Sequence, residues 1–390
     1  MNNLTIGIDA TNLRQGGGRT HLIELLRTAD PTRHDFVRIV VWGSQETLAL
    51  LDNRKWLIKR NPSAQEKSLL SRLFWQRFKL SDAARREGCN ILFVPGGSFA
   101  GNFHPVVTMS QNLLPFELCE LKRYGWTILT LKFYILRIIQ GLTFKKSTGI
   151  IFLSDYAKNR VEKVTGYLSG KTTVIPHGLS HRFLSTEECI LQKCVFNGAS
   201  CIRLIYVSTV DVYKHQWHVV EAVAKARKLT GIDLQLDLIG PAYQPALDRL
   251  KLAIAKHDPE ELWVQYLGAT DYNELHSFYA EAHIGIFAST CENLPITLLE
   301  TMASGLAVLC SDRGAMPEVM GDAGLYFDPE NPDSLASALM ELLSSTDTIS
   351  KLASVALEKS KGYTWERCAS DTFTFLSTVS EHHRKINVRV

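Results

Sequence analysis

The chain has 390 residues, 45% of them hydrophobic and 21% charged, with a net charge of +3 at neutral pH. That balance excludes a disordered or low-complexity chain and leaves room for two domains of ordinary size. The small net charge conceals an asymmetry, because residues 1–180 carry 25 Lys and Arg against 13 Asp and Glu, whereas residues 181–390 carry 18 against 27. Halves of opposite sign point to two domains with different neighbours, the basic one a candidate for an anionic surface. The first residues, MNNLTIGIDATNL, lack a basic run followed by an apolar stretch, so no signal peptide is expected. The eight cysteines include no C-x-x-C pair, and buried free thiols are expected rather than disulfides or a zinc site.

In chain order, LTIGID (4–9), DFVRIVVW (35–42), NILFVP (90–95), PVVTMS (105–110), GIIFLS (149–154) and TTVIP (172–176) read as strands. They are short and rich in Val, Ile and Leu, as the strands of a buried parallel sheet must be. Helical patterns lie between them, notably at 65–87, 117–147 and 155–166. The scheme then repeats. Strands are expected at 202–208, 233–240, 262–268, 283–289, 306–311 and 324–329, with helices at about 214–229, 244–256, 271–281 and 294–304. Strand–helix alternation twice over predicts two doubly wound α/β domains. The junction is expected after His177–Gly178, with 180–200 as a connector and helices from 331 to 390.

Three places carry candidate chemistry. The first is ASTCENLPITLLETMASGLAVLCSDRGAMPEVMGDAGLYFDP (288–329). A strand ends at Ser289, Asn293 is the expected N-cap and Pro295 fits the first helical turn. Free N–H groups near Leu294, Ile296 and Thr297 would then form a phosphate site at the carboxyl end of a parallel sheet. Glu292 lies at that mouth and Glu300 farther along the helix, about 10 Å if the helix runs on from Asn293. Carboxylates repel phosphate and suit hydroxyls, so the pair could hold a sugar at one end and a ribose at the other. On spacing alone, two solvated helix glutamates are the better reading. The second place is Lys214 in YVSTVDVYKHQWHVV (206–220), after a strand and at a helix start, where an ammonium can neutralise a diphosphate. The third is Gly16-Gly17-Gly18, ahead of a helix expected near Arg19. It matches neither the dinucleotide nor the P-loop fingerprint.

The segment 288–329 closely resembles the retaining glycosyltransferases of family 4, which have the GT-B architecture of two Rossmann-like domains facing a cleft. The Glu-x₇-Glu spacing from Glu292 to Glu300 fits, as do ETMASGLAV (300–308), SDRGAMPEV (311–319) and GDAGLYFDP (321–329). The resemblance implies that Glu292 contacts the transferred sugar and Glu300 the ribose hydroxyls, while the Asn293–Thr297 backbone, including Leu294 and Ile296, holds the diphosphate. It implies the phosphate-neutralising role for Lys214, with Ser208 and Thr209 beside the donor where many relatives place an arginine; Arg313 or Arg19 is a candidate substitute. Gly17 and Gly18 would approach donor phosphates and acceptor. Gln111 and Asn112 stand where relatives often have His-Asp, so Gln111 can hydrogen-bond a hydroxyl but cannot serve as acid or base. Asn293-Leu294-Pro295 replaces a common Gly-Phe-Gly, and His177, where Asn is usual, reads as structural.

Residues 121–154 contain Lys122, Arg123, Lys132, Arg137, Lys145 and Lys146 and no acid, with aromatic residues interleaved. The apolar run 124–142 is interrupted by Lys132 and Arg137, which makes spanning a bilayer costly. Helix 65–87 adds Lys67, Arg72, Arg77, Lys79, Arg85 and Arg86. Two readings stand side by side: basic helices lying on anionic lipid, or core helices with snorkelling basic ends. Nucleic acid is the weaker partner, since no binding module is recognisable.

Together these readings predict an α/β protein with an acceptor domain at 1–180, a donor domain at 181–365 and a C-terminal helix at 366–390 that is a candidate to cross back to the first. The expected activity is a retaining, hexosyltransferase-type transfer of a sugar from a UDP- or GDP-sugar to a hydroxyl of a lipid-pyrophosphate-linked glycan, in O-antigen, lipopolysaccharide or capsule synthesis. The expected place is the cytoplasmic face of a bacterial inner membrane. No Asp-x-Asp pair stands in a fitting place, and no metal or cofactor is expected. Rival readings are a sugar-nucleotide epimerase or phosphorylase of the same architecture, or a non-catalytic glycan-binding protein.

Overall fold

Short runs of β-branched and leucine residues are stable as strands when both of their faces are covered, and the apolar runs of this chain are used that way. The structure, a computed structural model, describes residues 3–14, 16–62, 69–194 and 201–387. It divides into two units: Met1–Leu118, Trp126–Gly178 and Thr364–Val390 make up the first, and Cys119–Gly125 and Leu179–Tyr363 the second. The segment Cys119–Gly125 thus belongs with the second unit although it lies far inside the first half of the chain.

Unit 1 holds β1 (Leu4–Ala10), β2 (Phe36–Gly43), β3 (Leu57–Arg60), β4 (Ile91–Val94), β5 (Val106–Met109), β6 (Gly149–Phe152) and β7 (Lys171–Val174). They form one parallel sheet in the order β3-β2-β1-β4-β5-β6-β7. The inner strands β1, β4, β5 and β6 are buried at every position, and the edge strands β3 and β7 are only partly so. Helices α1 (Gly16–Thr28), α2 (Gln45–Ala49), α3 (Leu69–Phe78) and α4 (Leu80–Arg86) come next in the chain, followed by short α5 (Leu118–Lys122), then α6 (Ile128–Lys146) and α7 (Asp155–Thr165). Trp42, Trp75, Leu80, Leu92 and Phe103 meet in a cluster under α3 and α4.

Unit 2 holds β8 (Ile202–Val207), β9 (Leu234–Ile239), β10 (Val264–Gly268), β11 (Ile284–Phe287), β12 (Ala307–Ser311) and β13 (Gly324–Phe327), parallel in the order β10-β9-β8-β11-β12-β13. Its helices are α8 (Glu187–Cys194), α9 (Gln216–Thr230), α10 (Gln244–His257), α11 (Leu275–Glu281), α12 (Ile296–Ala303), α13 (Met316–Met320), α14 (Pro332–Leu343) and α15 (Thr346–Ser360). The last helix, α16 (Trp365–Asn387), returns to unit 1, where Phe373 rests on Phe36 and His34. Both units are therefore doubly wound and Rossmann-like. In each sheet the strand order reverses once, between β1 and β4 and between β8 and β11, and ligands of such sheets bind beyond the carboxyl ends at that point.

Several local expectations are corrected. The span 117–147 is two helices, because Gly125 takes a positive φ of 63° and Thr127 starts a new helix by accepting the Thr130 N–H at 3.2 Å. The described part of 65–87 is also two helices; residues 65–68, with Lys67, and the side chain of Arg72 lie outside the described residues. The connector 180–200 contains α8, and β3 and α2 carry too few residues for a periodic signal. Helix α1 begins at Gly16, so the three glycines form its first turn rather than a loop ahead of it. Among the described cysteines none forms a disulfide: Cys291, Cys310 and Cys368 are buried thiols, whereas Cys119 and Cys189 are exposed, contrary to expectation. The side chain of Cys194 lies outside the described residues.

Candidate active site

At the carboxyl edge of the second sheet, the loops after β8 and β11 lie side by side at the switch point. The Thr290 N–H donates to the Tyr213 carbonyl at 2.9 Å and ties the two loops together. After β8 the chain turns at once. Gln216 donates its side-chain amide to Ser208 Oγ at 2.9 Å and to the Thr209 carbonyl at 3.0 Å. Lys214 closes a turn by donating its N–H to the Asp211 carbonyl at 3.0 Å, and the Tyr206 hydroxyl donates to the Lys214 carbonyl at 3.0 Å. Helix α9 starts only after His215, which takes a left-handed conformation with φ 54°. Lys214 is therefore held just ahead of the helix rather than in its first turn. Its ammonium is buried among the faces of Tyr213 and Phe287, 5.2 and 5.3 Å from their centroids, and is ion-paired with Glu292.

The loop after β11 also departs from expectation. Pro295, not Asn293, is the N-cap residue of α12, and it makes no side-chain cap. Asn293 and Leu294 are buried ahead of the helix. The first N–H groups of α12, at Ile296 and Thr297, lack partners within the helix, as the first donors of any helix do. Because α12 starts at Ile296, only four residues of helical rise, about 6 Å, separate its start from Glu300.

Glu300 is not a solvated helix charge. It is 1% exposed, and the Tyr272 hydroxyl donates to its Oε1 at 3.0 Å. Its Oε2 is buried without a hydrogen-bond partner among the described residues. Burial pushes the carboxyl up to about 8, against the Tyr272 hydrogen bond and the nearby Arg182 guanidinium, which favour the charged form. Arg182 lies 4.8 Å from the centroid of the Tyr272 ring and bonds Asn273 at 2.7 Å.

A third strut comes from residues 119–125. Glu120 accepts the Thr290 hydroxyl at 2.6 Å and pairs with Arg123 at 2.8 Å, and Arg123 reaches Glu330 at 2.8 Å. The Tyr124 hydroxyl donates to Asp211 Oδ1 at 2.9 Å. One short segment thus braces both the loop that carries Lys214 and the loop that carries Glu292. Gln216, Tyr272, Arg182, Glu120, Tyr124 and Thr290 were not singled out from the sequence. Gln216 stands two residues after Lys214 and was within reach; nothing local links position 120 to position 290.

Of the expected residues, Ser208, Thr209, Lys214, Glu292, Asn293, Leu294, Ile296, Thr297 and Glu300 all lie in unit 2, and Lys214 and Glu292 are in direct contact. Arg313 is half exposed and paired with Asp312 and Asp328, both at 3.0 Å. Gly17, Gly18, Arg19, Gln111 and Asn112 lie in unit 1. There the bare backbone of Gly18 packs on Gln111, since a Cβ at Gly18 would come 2.5 Å from Gln111 Oε1. Asn112 is turned to its own backbone and accepts the Leu114 N–H at 3.1 Å. His177 is buried and shares a 2.9 Å hydrogen bond with His21; burial lowers the pKa of both rings and keeps them neutral.

Residues 201–358 match the family described as glycosyl transferases group 1. The O-antigen chain mannosyltransferase B of Escherichia coli is 25% identical over 229 residues, 57% of this chain and 58% of its own length, so the chain spans little more than half of that relative. Among solved structures, sucrose-phosphate synthase from Thermosynechococcus elongatus has a TM-score of 0.75 at 16% identity, covering 100% of both chains. Anabaena HepE in complex with UDP-glucose has a TM-score of 0.68 at 16% identity, covering 98% of this chain and 100% of its own. At such identities these two structures establish the fold, which is the two-unit GT-B arrangement of Rossmann-like sheets. With that fold around it, the stretch 201–358 that bears Lys214, Glu292 and Glu300 is a domain of the glycosyl transferases group 1 family.

Proposed function

We propose that this chain is a retaining glycosyltransferase that moves a hexose from a nucleoside diphosphate to a hydroxyl of a lipid-linked glycan, in the synthesis of a cell-surface polysaccharide such as O-antigen. The observation that carries the reading is the convergence of a buried lysine, its carboxylate partner and a buried carboxyl with one unpartnered oxygen at the switch point of one parallel sheet. Carboxylates suit hydroxyls and the lysine suits phosphate. Glu300 takes the ribose hydroxyls, with the free first N–H groups of α12 and Lys214 on the diphosphate.

The ion pair gives the donor a defined order of exchange. The diphosphate competes with Glu292 for the Lys214 ammonium, and the carboxylate so released accepts hydroxyls of the sugar. In the transfer, the bond from the anomeric carbon to the β-phosphate oxygen breaks and its electron pair stays on the diphosphate. Lys214 and the helix N-terminus stabilise that charge. The acceptor oxygen bonds the same carbon on the same face, and its proton passes to the departing phosphate oxygen. With Lys214 supplying positive charge and no Asp-x-Asp pair in a fitting place in the sequence, the proposed reaction needs no divalent metal and persists in EDTA. The E. coli relative is named for an O-antigen chain, and HepE was crystallised with UDP-glucose, which supports the donor and product classes.

The decisive experiment is thermal shift with UDP, GDP and their sugars, followed by turnover with and without a lipid-linked glycan. A donor that binds only the native state raises the melting temperature. Lys214→Ala and Glu300→Ala should each reduce that rise. Undiminished nucleotide binding in both variants would refute the site. Conversion of the nucleotide sugar to an epimer without acceptor would favour an epimerase instead.

A further inference from the structure

Helix α6 turns much of its apolar surface outward. Its buried positions are Thr130, Gln140, Thr143 and Phe144, while Ile128, Leu131, Ile135, Ile138 and Leu142 are exposed. Those five recur at steps of three and four, so they line one stripe of about 20 Å along the helix. Ile128 is 88% exposed and Ile138 62%, and Trp126, just ahead of the helix, is wholly exposed. A patch of this length and composition is rarely left on a protein surface without a use.

Within the segment itself the charges have one sign. Lys132, Lys145 and Lys146 are exposed, and residues 121–154 contain no Asp or Glu. Helix α3 presents Phe74, Arg77 and Phe78, with Lys79 just after it, all exposed. Both helices anchor on one loop: Gln76 of α3 donates to the Ser98 carbonyl at 3.0 Å, and Thr143 of α6 accepts the Phe99 N–H at 3.0 Å.

We infer that the outward face of α6, with Trp126, docks in the plane of an anionic lipid bilayer. The apolar stripe enters the boundary of headgroups and acyl chains, Trp126 sits at the headgroup level, and the lysines meet lipid phosphates. A second copy of the chain is the poorer occupant. A two-fold pairing of this face would set lysines against lysines with no acid on the stripe to offset them. Crossing the bilayer is excluded for α6, because no described helix is long and apolar enough to span it. This inference deepens the membrane-borne acceptor of the proposed reaction, and its test does not depend on the donor.

The test is cosedimentation of the full chain with phosphatidylethanolamine vesicles made with or without phosphatidylglycerol. Binding should require phosphatidylglycerol, weaken with salt and fall at least about tenfold in Ile135→Glu/Ile138→Glu, whose replaced side chains are exposed. Lys132→Gln/Lys145→Gln/Lys146→Gln should weaken it in low salt, and the blue shift of tryptophan fluorescence on vesicles should shrink in Trp126→Phe. An unchanged circular-dichroism spectrum and melting temperature in the isoleucine variant certify its fold. Absence of binding to anionic vesicles, or equal binding by the isoleucine variant, overturns the inference. So does a concentration-dependent dimer that the same variant abolishes. Vesicle binding with no nucleotide response would leave the docking face standing and refute the donor reading.

Discussion

Replacing Glu300 by glutamine keeps the shape of the side chain and removes its proton equilibrium. In the folded chain burial holds this carboxyl at about 8, against an ordinary 4.5. Below pH 4.5 it is protonated in both states and costs nothing. Above that, the unfolded chain ionises and the folded chain does not, so stability is lost as pH rises until the folded carboxyl titrates at about 8. Each pH unit in that window is worth about 1.4 kcal/mol, which sums to on the order of 5 kcal/mol for the whole of it. Glu300→Gln escapes this loss. Urea unfolding across the window should find the variant gaining on the wild type as pH rises, by on the order of 3 kcal/mol at neutral pH. The same variant should bind nucleotide more weakly, because ribose hydroxyls donate best to an ionised carboxylate. For the wild type, calorimetry in buffers of different ionisation enthalpy should detect release of a proton on nucleotide binding near neutral pH. A stability difference that stays flat over the window would mean that Glu300 titrates as a solvated group, and the argument from burial would fail.

Three further outcomes are expected. Glu292→Ala leaves the Lys214 ammonium buried without its partner, and the loss should be about 3 kcal/mol in chemical denaturation, with Lys214→Met/Glu292→Gln recovering most of it. Tyr124→Phe removes the donor to Asp211, whose own pKa burial already raises; the cost should be about 1–2 kcal/mol, with a raised KM for the sugar nucleotide as the loop of Lys214 loosens. Gly178→Ala would drive a Cβ onto the backbone of Thr364 and Trp365, so it should cost at least about 2 kcal/mol, whereas Gly18→Ala meets only side-chain atoms, the movable end of Gln111 and Leu13 Cδ2, and should cost less.

Much of the fold was legible because it rests on local hydrogen bonding and burial. Val, Ile and Leu in runs of four to eight admit little but covered strands, and their alternation with amphipathic stretches implies two parallel sheets. The elements missed were those with too few residues to display a period, such as β3 and α2, and the breaks set by single residues, such as Gly125 with Thr127. At the candidate site, Glu292, Glu300 and Lys214 were singled out through a motif. The start of α12 was misplaced because Asn293 has the chemistry of an N-cap, yet the chain is still extended at Pro295.

The sequence by itself determined which residue types stand at the ends of β8 and β11, since each lies a few positions beyond an apolar run that can only be a strand. Tertiary structure alone decided what those residues meet. Lys214 and Glu292 are 78 positions apart, and they pair only because β8 and β11 are neighbours at the reversal of strand order. Glu300 becomes a buried acid rather than a surface charge because Tyr272 and the packing around α12 exclude water from it. The brace from Glu120 and Tyr124 and the outward apolar face of α6 have the same origin. Local patterns set how a segment folds, but the partner and the solvent exposure of each side chain follow from which distant segment the topology lays beside it.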